Sequence, residues 1–152
     1  MILARDDWEV SAGDSGAIPM GEGTLDLGGS VGNVTYNKVD WKFTKTPGIY
    51  GDDGHPAAAE TGKNQRAWAK AIEGFRLLGS ARFVITDRLH GHIMSTLIGT
   101  PHVLMDSKLG KNINFHDTWT RHCACTRVAN DIDHAKRYAA MYFEAARKKQ
   151  AA

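Results

Sequence analysis

The sequence has little cysteine: Cys123 and Cys125 are the two among 152 residues. Because a single residue separates them, they do not predict the disulfide framework of a small secreted domain. A chain of this length can bury a hydrophobic core without such cross-links. We therefore expect one domain, residues 1–152.

Long apolar runs and massed basic charge are also absent. No apolar stretch approaches the ~20 residues that a membrane-spanning helix needs. Residues 1–7 lack a basic start and turn acidic at Asp6, which is not typical of a signal peptide. The 19 Lys and Arg residues are scattered, whereas a nucleic-acid surface needs a basic face. We expect no nucleic-acid partner, no transmembrane segment and a cytoplasmic location, or membrane association only through partners.

Glycine and proline divide the chain into two parts. Residues 11–62 are rich in glycine, contain three of the four prolines and lack helical periodicity. Two short strand-like pieces, 31–36 and 39–43, interrupt this stretch. We expect residues 1–62 to be irregular with one or two edge strands, and residues 63–152 to form a regular α/β core.

The second part alternates helix and strand patterns. Apolar residues at helical spacing predict a helix that ends at Gly79 and buries one stripe of side chains: Trp68, Ala71, Ile72, Phe75 and Leu78. Further patterns predict a strand at 83–85, a helix ending at Gly99, a strand at 102–105, a short helix at about 114–121, a strand at 126–128 and a helix at about 133–148. With one more strand at 2–4, this order predicts an α/β fold: a Rossmann-like parallel sheet with flanking helices.

Cations follow the predicted strand ends, which is where ligands bind in open α/β sheets. Arg5, Arg88 with His90, and Lys111 each follow a different strand. A helix begins at Arg88, so its first backbone N–H groups and the positive end of its dipole face the same crevice. The pattern predicts an anion site for a small phosphorylated compound.

The residues around Arg88 suit such a site individually. Thr86 or Asp87 is expected to cap the helix through its side chain. Arg88 offers a planar fork for phosphate or carboxylate, and a histidine such as His90 offers a hydrogen bond or a proton near neutral pH. Gly91 permits the close approach of a ligand or a neighbouring backbone. The same residues are also compatible with a capped helix that carries a salt bridge and a solvated histidine.

Other groups have alternative interpretations. The run His122–Cys125 suggests a metal, but zinc sites usually need four ligands in paired spacings. Packing beside a strand is therefore favoured, and no metal is expected. His92 is interpreted as a packing residue, because a two-residue step on a helix splays it away from His90. Trp41 and Trp119 remain open as platforms for a sugar.

The run FVITDRLHGHI, residues 83–93, resembles the signature of the polysaccharide pyruvyl transferase family. The stretches 99–106 and 110–115, followed by Trp119, continue the resemblance, which covers residues 66–120 well. That family is similar in fold to two-domain GT-B glycosyltransferases, in which two Rossmann-like halves enclose a cleft. The resemblance matches this chain to the C-terminal, donor-binding half.

The resemblance also implies an activity and a donor. Members transfer pyruvate from phosphoenolpyruvate to a pair of sugar hydroxyls, forming a ketal in an exopolysaccharide, cell-wall polymer or glycan, with no cofactor. Arg88 and His90 match the donor-binding and catalytic residues. Leu89 would add a backbone contact, and Lys111 matches a further cation for the donor. Arg5, in the run Arg5–Glu9, resembles an upstream element that binds the donor as well.

An N-terminal half that would supply the acceptor site is expected to be missing. Without it, we expect the isolated chain to bind the donor but to be weakly active or inactive. An apolar face left exposed would favour self-association. Two other functions stay open: a non-catalytic module or remnant that retains the anion pocket, and a Rossmann-like half that binds a nucleotide-sugar phosphate.

Overall fold

The computed structural model describes residues 1–3, 18–40 and 60–151. Within these ranges the strands are β1 (Ile2–Leu3), β2 (Gly21–Asp26), β3 (Asn33–Val39), β4 (Val84–Thr86), β5 (His102–Met105) and β6 (Thr126–Ala129). The helices are α1 (Glu60–Gly79), α2 (Leu89–Ile98), α3 (Lys111–Phe115) and α4 (Ile132–Ala151). Two expected contributors, Arg5 and Trp41, lie outside the described residues.

The described strands form one sheet with the order β2-β3-β1-β4-β5-β6. β1 pairs in parallel with both β3 and β4, and the chain of parallel pairs continues through β5 to β6. β2 pairs antiparallel with β3 at the edge of the sheet. The expected α/β fold, a mostly parallel Rossmann-like sheet with flanking helices, is therefore confirmed.

Two apolar layers hold helices against opposite faces of this sheet. Because successive side chains of a strand point to opposite faces, β4 contributes Ile85 to one layer and Val84 to the other. Ile85 belongs to the layer that contains Ala135 of α4, and Val84 to the layer that contains Leu78 of α1. The loops at the carboxyl ends of the strands are thus carried by a sheet covered on both sides.

The edge hairpin differs in position from its prediction. The expected piece at 31–36 overlaps β3, which pairs with the unexpected strand β2 through a glycine-rich turn. Of the expected piece at 39–43, residues 41–43 lie outside the described residues. In that turn, Leu27 N donates to Gly32 O at 3.0 Å, and three glycines adopt positive φ: Gly28, Gly29 and Gly32. Glycine accepts this conformation without steric cost, so the turn rather than side-chain pattern sets the strand ends.

Trp68 was expected in the core, and this expectation is wrong because its side chain is 70% exposed. The stripe's fully buried member is Leu78, near the end of α1. The 20 residues of α1 span about 30 Å, whereas the three residues of β4 span about 10 Å. Trp68 lies ten residues, or about 15 Å, before Leu78, so the burial at the end of α1 does not extend to Trp68.

The short helix also begins earlier than expected, at Lys111 rather than near 114, and continues as a π-helical turn, His116–Thr120. A wider turn of this kind re-aims side chains within a helix and is frequent at functional sites. Among the described residues, no helix combines the length and apolar character needed to span a membrane.

Candidate anion site at the carboxyl edge of the sheet

Arg88 lies where β4 leaves the sheet and is the N-cap residue of α2, with extended backbone angles of φ −94° and ψ 119°. Arg88 itself makes no side-chain capping hydrogen bond to α2. The Thr86 hydroxyl instead accepts a hydrogen bond from the backbone N–H of Arg88 at 3.0 Å, which fixes the turn before the helix. The backbone N–H groups of the first turn of α2 point toward this strand end.

The Arg88 guanidinium pairs with a carboxylate from another strand end. Its Nη2 donates to Asp40 Oδ1, and Asp40, directly after β3, is 1% exposed. Since β1 lies between β3 and β4, the pair reaches across the end of β1. A buried carboxylate is stable only with such partners, so the pair holds the guanidinium in one orientation.

One side of that guanidinium stays available. The Arg88 Nε–H is buried and makes no hydrogen bond within the described part of the chain. Arginine presents its donors as a planar fork that suits the paired oxygens of a phosphate or carboxylate. Arg88 is therefore oriented by Asp40 while retaining a donor for an acceptor that these residues do not supply.

Asn112 joins the carboxyl ends of β4 and β5. Its side chain is fully buried, and its Nδ2 donates to Asp87 O at 2.7 Å and to Met105 O at 2.9 Å. Asp87 directly precedes Arg88, and Lys111 directly precedes Asn112. One amide thus links the loop that carries Arg88 to the helix that begins with Lys111.

The remaining candidates are distributed around this edge. Leu89 begins α2 and is half-buried, His90 in the first turn is exposed, and Lys111 begins α3 and is half-buried. The structure therefore groups Arg88, Leu89 and His90 at one strand end and connects that end to Lys111 through Asn112. Arg5 follows β1 in the sequence but lies outside the described residues.

Gly91 sets the distance between α2 and the sheet. A Cβ atom at this position would lie 2.8 Å from Leu3 Cδ2 and 2.8 Å from Thr86 Oγ1. The close approach expected at Gly91 therefore occurs against protein side chains. It brings the first turn of α2, with His90, down onto the ends of β1 and β4.

A buried histidine network lies behind the same helix. His92 Nδ1 is 2.8 Å from His102 Nε2, and His92 Nε2 is 2.7 Å from the Thr120 hydroxyl. His102 Nδ1 is 2.8 Å from the Thr100 carbonyl, which can only accept, so this nitrogen carries the proton. A neutral His102 then accepts from His92 Nδ1–H, and His92 Nε2 accepts from Thr120. The network ties α2 to β5 and to the π-helical turn.

Burial lowers the pKa of His92 to about 4, with His102 and His116 adding like-charge repulsion. Burial also lowers the pKa of His102, although its hydrogen bond to Thr100 acts in the opposite direction. Both rings are therefore neutral at neutral pH, which is compatible with the donor and acceptor pattern. His92 is buried, as its interpretation as a packing residue predicts, and both of its ring nitrogens also make hydrogen bonds.

Sequence reasoning assigned no site role to Asp40 or Asn112. Asp40 fell inside an expected strand at 39–43, whereas β3 ends at Val39 and leaves Asp40 at the edge of the sheet. Asn112 was part of the run that carries the family resemblance, but its spacing predicts no contact with Asp87. A carboxylate directly after a strand-like segment was the signal available for Asp40.

The described residues contain no group of three or more His, Cys, Asp or Glu side chains placed to hold a metal ion. Cys123 and Cys125 are both half-buried free thiols.

Trp119 was left open as a platform for a sugar. Its side chain is 74% exposed on the π-helical turn.

Comparison with known proteins gives a consistent family. Residues 38–108 match the profile of the family described as polysaccharide pyruvyl transferase. The chain is 37% identical over 134 residues to Pyruvyl transferase 1 of Schizosaccharomyces pombe, covering 88% of this chain and 30% of that protein. It is 40% identical over 68 residues to Putative pyruvyl transferase EpsO of Bacillus subtilis, covering 45% of this chain and 19% of that protein.

The chain thus spans 30% or less of the length of these two relatives. The matched region of the family profile includes both members of the Asp40–Arg88 pair and the whole of α2. The chain belongs to the polysaccharide pyruvyl transferase family, and it carries a pyruvyl transferase domain.

Proposed function

We propose that this chain forms the phosphoenolpyruvate-binding part of an enzyme that transfers pyruvate to a pair of sugar hydroxyls as a ketal. The observation that carries the proposal is the Arg88 guanidinium. Asp40 orients it at a strand end, and its Nε–H is buried without a hydrogen bond among the described residues. The name pyruvyl transferase of both relatives supports the same assignment.

Phosphoenolpyruvate suits the charges at this edge. The donor carries a phosphate and a carboxylate, so it needs several hydrogen-bond donors and cations. Arg88 supplies the fork, Lys111 supplies a second positive charge, and the first turn of α2, from Leu89 to Gly91, supplies backbone N–H groups. Arg5 is a further cation in the proposal, on the basis of the family resemblance.

The proposed chemistry begins with proton transfer from His90 to the methylene carbon of phosphoenolpyruvate. This step makes C2 electrophilic, and the first sugar hydroxyl attacks C2 while its proton returns to His90. Phosphate then leaves with the electron pair of its C2–O bond, and the second hydroxyl attacks C2 and gives its proton to the departing phosphate, which closes the ketal. Arg88 and the first-turn N–H groups stabilise the charge on the departing phosphate.

A non-catalytic module that retains the pocket is the second candidate. It is favoured by one observation: Asp40, the carboxylate that contacts Arg88, is buried in that pair. Asp40 is therefore not placed to act as a base for the sugar hydroxyls. Turnover separates the two candidates, because both predict donor binding.

Calorimetric titration of the purified chain with phosphoenolpyruvate tests the proposal, with Arg88→Ala and Arg88→Lys as variants. We expect saturable binding that is abolished in Arg88→Ala and only partly restored in Arg88→Lys, because lysine lacks the planar fork. A nucleotide sugar serves as the competing ligand. Absence of phosphoenolpyruvate binding to folded protein, or preference for the nucleotide sugar, would contradict the donor assignment.

A further inference from the structure

The amide of Asn112 occupies an unusual position in the site. Both of its Nδ2 hydrogens are used, one on the carbonyl of Asp87 and one on that of Met105. These carbonyls lie at the ends of two neighbouring parallel strands, directly before the loops that carry functional groups. A single side chain therefore controls the spacing of two strand ends and of the helix on which it lies.

The role of this side chain resides in its two N–H donors. Asn112 Oδ1 is buried and makes no hydrogen bond to any residue that the structure describes. Removal of the donors would take a hydrogen bond from each of the two carbonyls, and the loops would have to move for other donors to replace these bonds. Such a movement would displace Arg88 relative to Lys111.

We propose that Asn112 is a positioning residue for donor binding, which sets the separation of Arg88 and Lys111 without contacting the donor. This inference rests on the proposed function for its consequence, because phosphoenolpyruvate holds its phosphate and carboxylate at a fixed separation. Two cations can bind these two groups together only if the distance between the cations matches that separation to within about 0.5 Å.

The test compares Asn112→Ala and Asn112→Asp with a destabilised control. Asn112→Asp is isosteric but replaces the donors with an oxygen that faces two carbonyl oxygens. Leu78→Val serves as the control, because Leu78 is fully buried near the end of α1, at the opposite edge of the sheet. Each chain is titrated with phosphoenolpyruvate well below its melting temperature.

We expect affinity for phosphoenolpyruvate to fall about tenfold or more in both Asn112 variants, the size of one or more hydrogen bonds lost from the site. Leu78→Val is expected to retain wild-type affinity even though it unfolds at lower denaturant. Wild-type affinity in a folded Asn112 variant would overturn the inference.

A second readout needs no donor. The Nε–H resonance of Arg88, assigned by comparison with Arg88→Lys, is expected to shift or broaden in the Asn112 variants and to stay unchanged in Leu78→Val. If wild-type protein fails to bind phosphoenolpyruvate, the proposed function fails, yet a shifted Arg88 resonance still supports the positioning role. An unchanged resonance in both folded Asn112 variants would refute that role, whatever the donor. If Asn112→Ala does not fold, the isosteric variant supplies both readouts.

Discussion

Asp40 and Arg88 form an ion pair across the end of β1, and the carboxylate lies in the interior while the guanidinium retains a buried Nε–H without a partner among the described residues. The carboxylate neutralises the arginine and restricts its rotation. The remaining donor is thereby directed to the edge of the sheet where the candidate ligand site lies.

Asp40→Asn is expected to lower both stability and donor affinity. The amide preserves the shape of the side chain but removes the charge, leaving Arg88 without its ionic partner in a largely buried position. We expect the free energy of unfolding to fall by about 1–3 kcal/mol, measured by urea titration. In a double-mutant cycle with Arg88→Ala, the two losses should not add, because each variant breaks the same contact. Additive losses would contradict a direct coupling.

Gly91→Ala is expected to destabilise the protein although alanine favours helices. The new Cβ would lie 2.8 Å from both Leu3 Cδ2 and Thr86 Oγ1, and Thr86 also accepts the N–H of Arg88. We expect a loss of about 1–3 kcal/mol in unfolding free energy, together with weaker phosphoenolpyruvate binding.

The matched control for this variant is Gly79→Ala, at the last residue of α1. A Cβ at Gly79 would meet only Ile98 Cδ1, at an ordinary 3.7 Å. Because alanine is the better helix former, this change should be neutral or stabilising by up to about 1 kcal/mol. Equal effects of the two substitutions would show that the close approach at Gly91 does not matter.

Stability is expected to decrease on acidification through the histidine network. The pKa of His92 is about 4 in the folded protein, against an ordinary value of 6.5. Between these values the unfolded chain binds the proton and the folded chain does not, so unfolding becomes easier as pH falls from 6.5 toward 4. The His92 contribution lost over that window is at most about 3 kcal/mol, and it is fully present above pH 6.5.

Urea unfolding at a series of pH values measures this dependence. His92→Gln should reduce the slope, and the lowered pKa of His102 should leave part of it in place. His122→Gln is the control, because that side chain is exposed and lies outside the network. A stability that is constant, or that increases, between pH 6.5 and 4.5 would contradict the buried neutral state of the pair.

His90→Gln is expected to separate binding from turnover. The side chain is exposed, so the variant should unfold within about 0.5 kcal/mol of wild type. Phosphoenolpyruvate affinity should fall less than in Arg88→Ala, whereas the weak transfer expected of this chain, followed as phosphate release in the presence of methyl glycosides, should fall about 10²-fold or more. Turnover equal to that of wild type would exclude His90 as the acid.

Much of the regular structure could be predicted because it is specified by local patterns. The strand expected at 102–105 matches β5 residue for residue, and the last helix differs by a few residues at its ends. Each pattern arises from burial of one stripe or one short run, which neighbouring residues determine. The expectation that Trp68 is buried is wrong because periodicity shows which face of a helix is apolar, but not how much of that face the rest of the fold covers.

The location of the candidate site was predictable, whereas its internal contacts were not. Arg88, His90 and Lys111 follow strand patterns, and the carboxyl ends of parallel strands share one edge of a sheet, so their approximate grouping follows from the chain alone. Their assignment as donor-binding residues stays a prediction. Asp40 lies 48 residues before Arg88, and their pairing depends on β1 lying between β3 and β4.

The sequence by itself determined the family, the alternation of helix and strand and the position of the cations after the strands, because these depend on residues close together in the chain. Only the tertiary structure decided which groups meet: Asp40 with Arg88, Asn112 with two strand ends, and His92 with His102. Such contacts depend on the order in which distant strands pair and on the distance at which Gly91 lets a helix approach, and local sequence patterns specify neither.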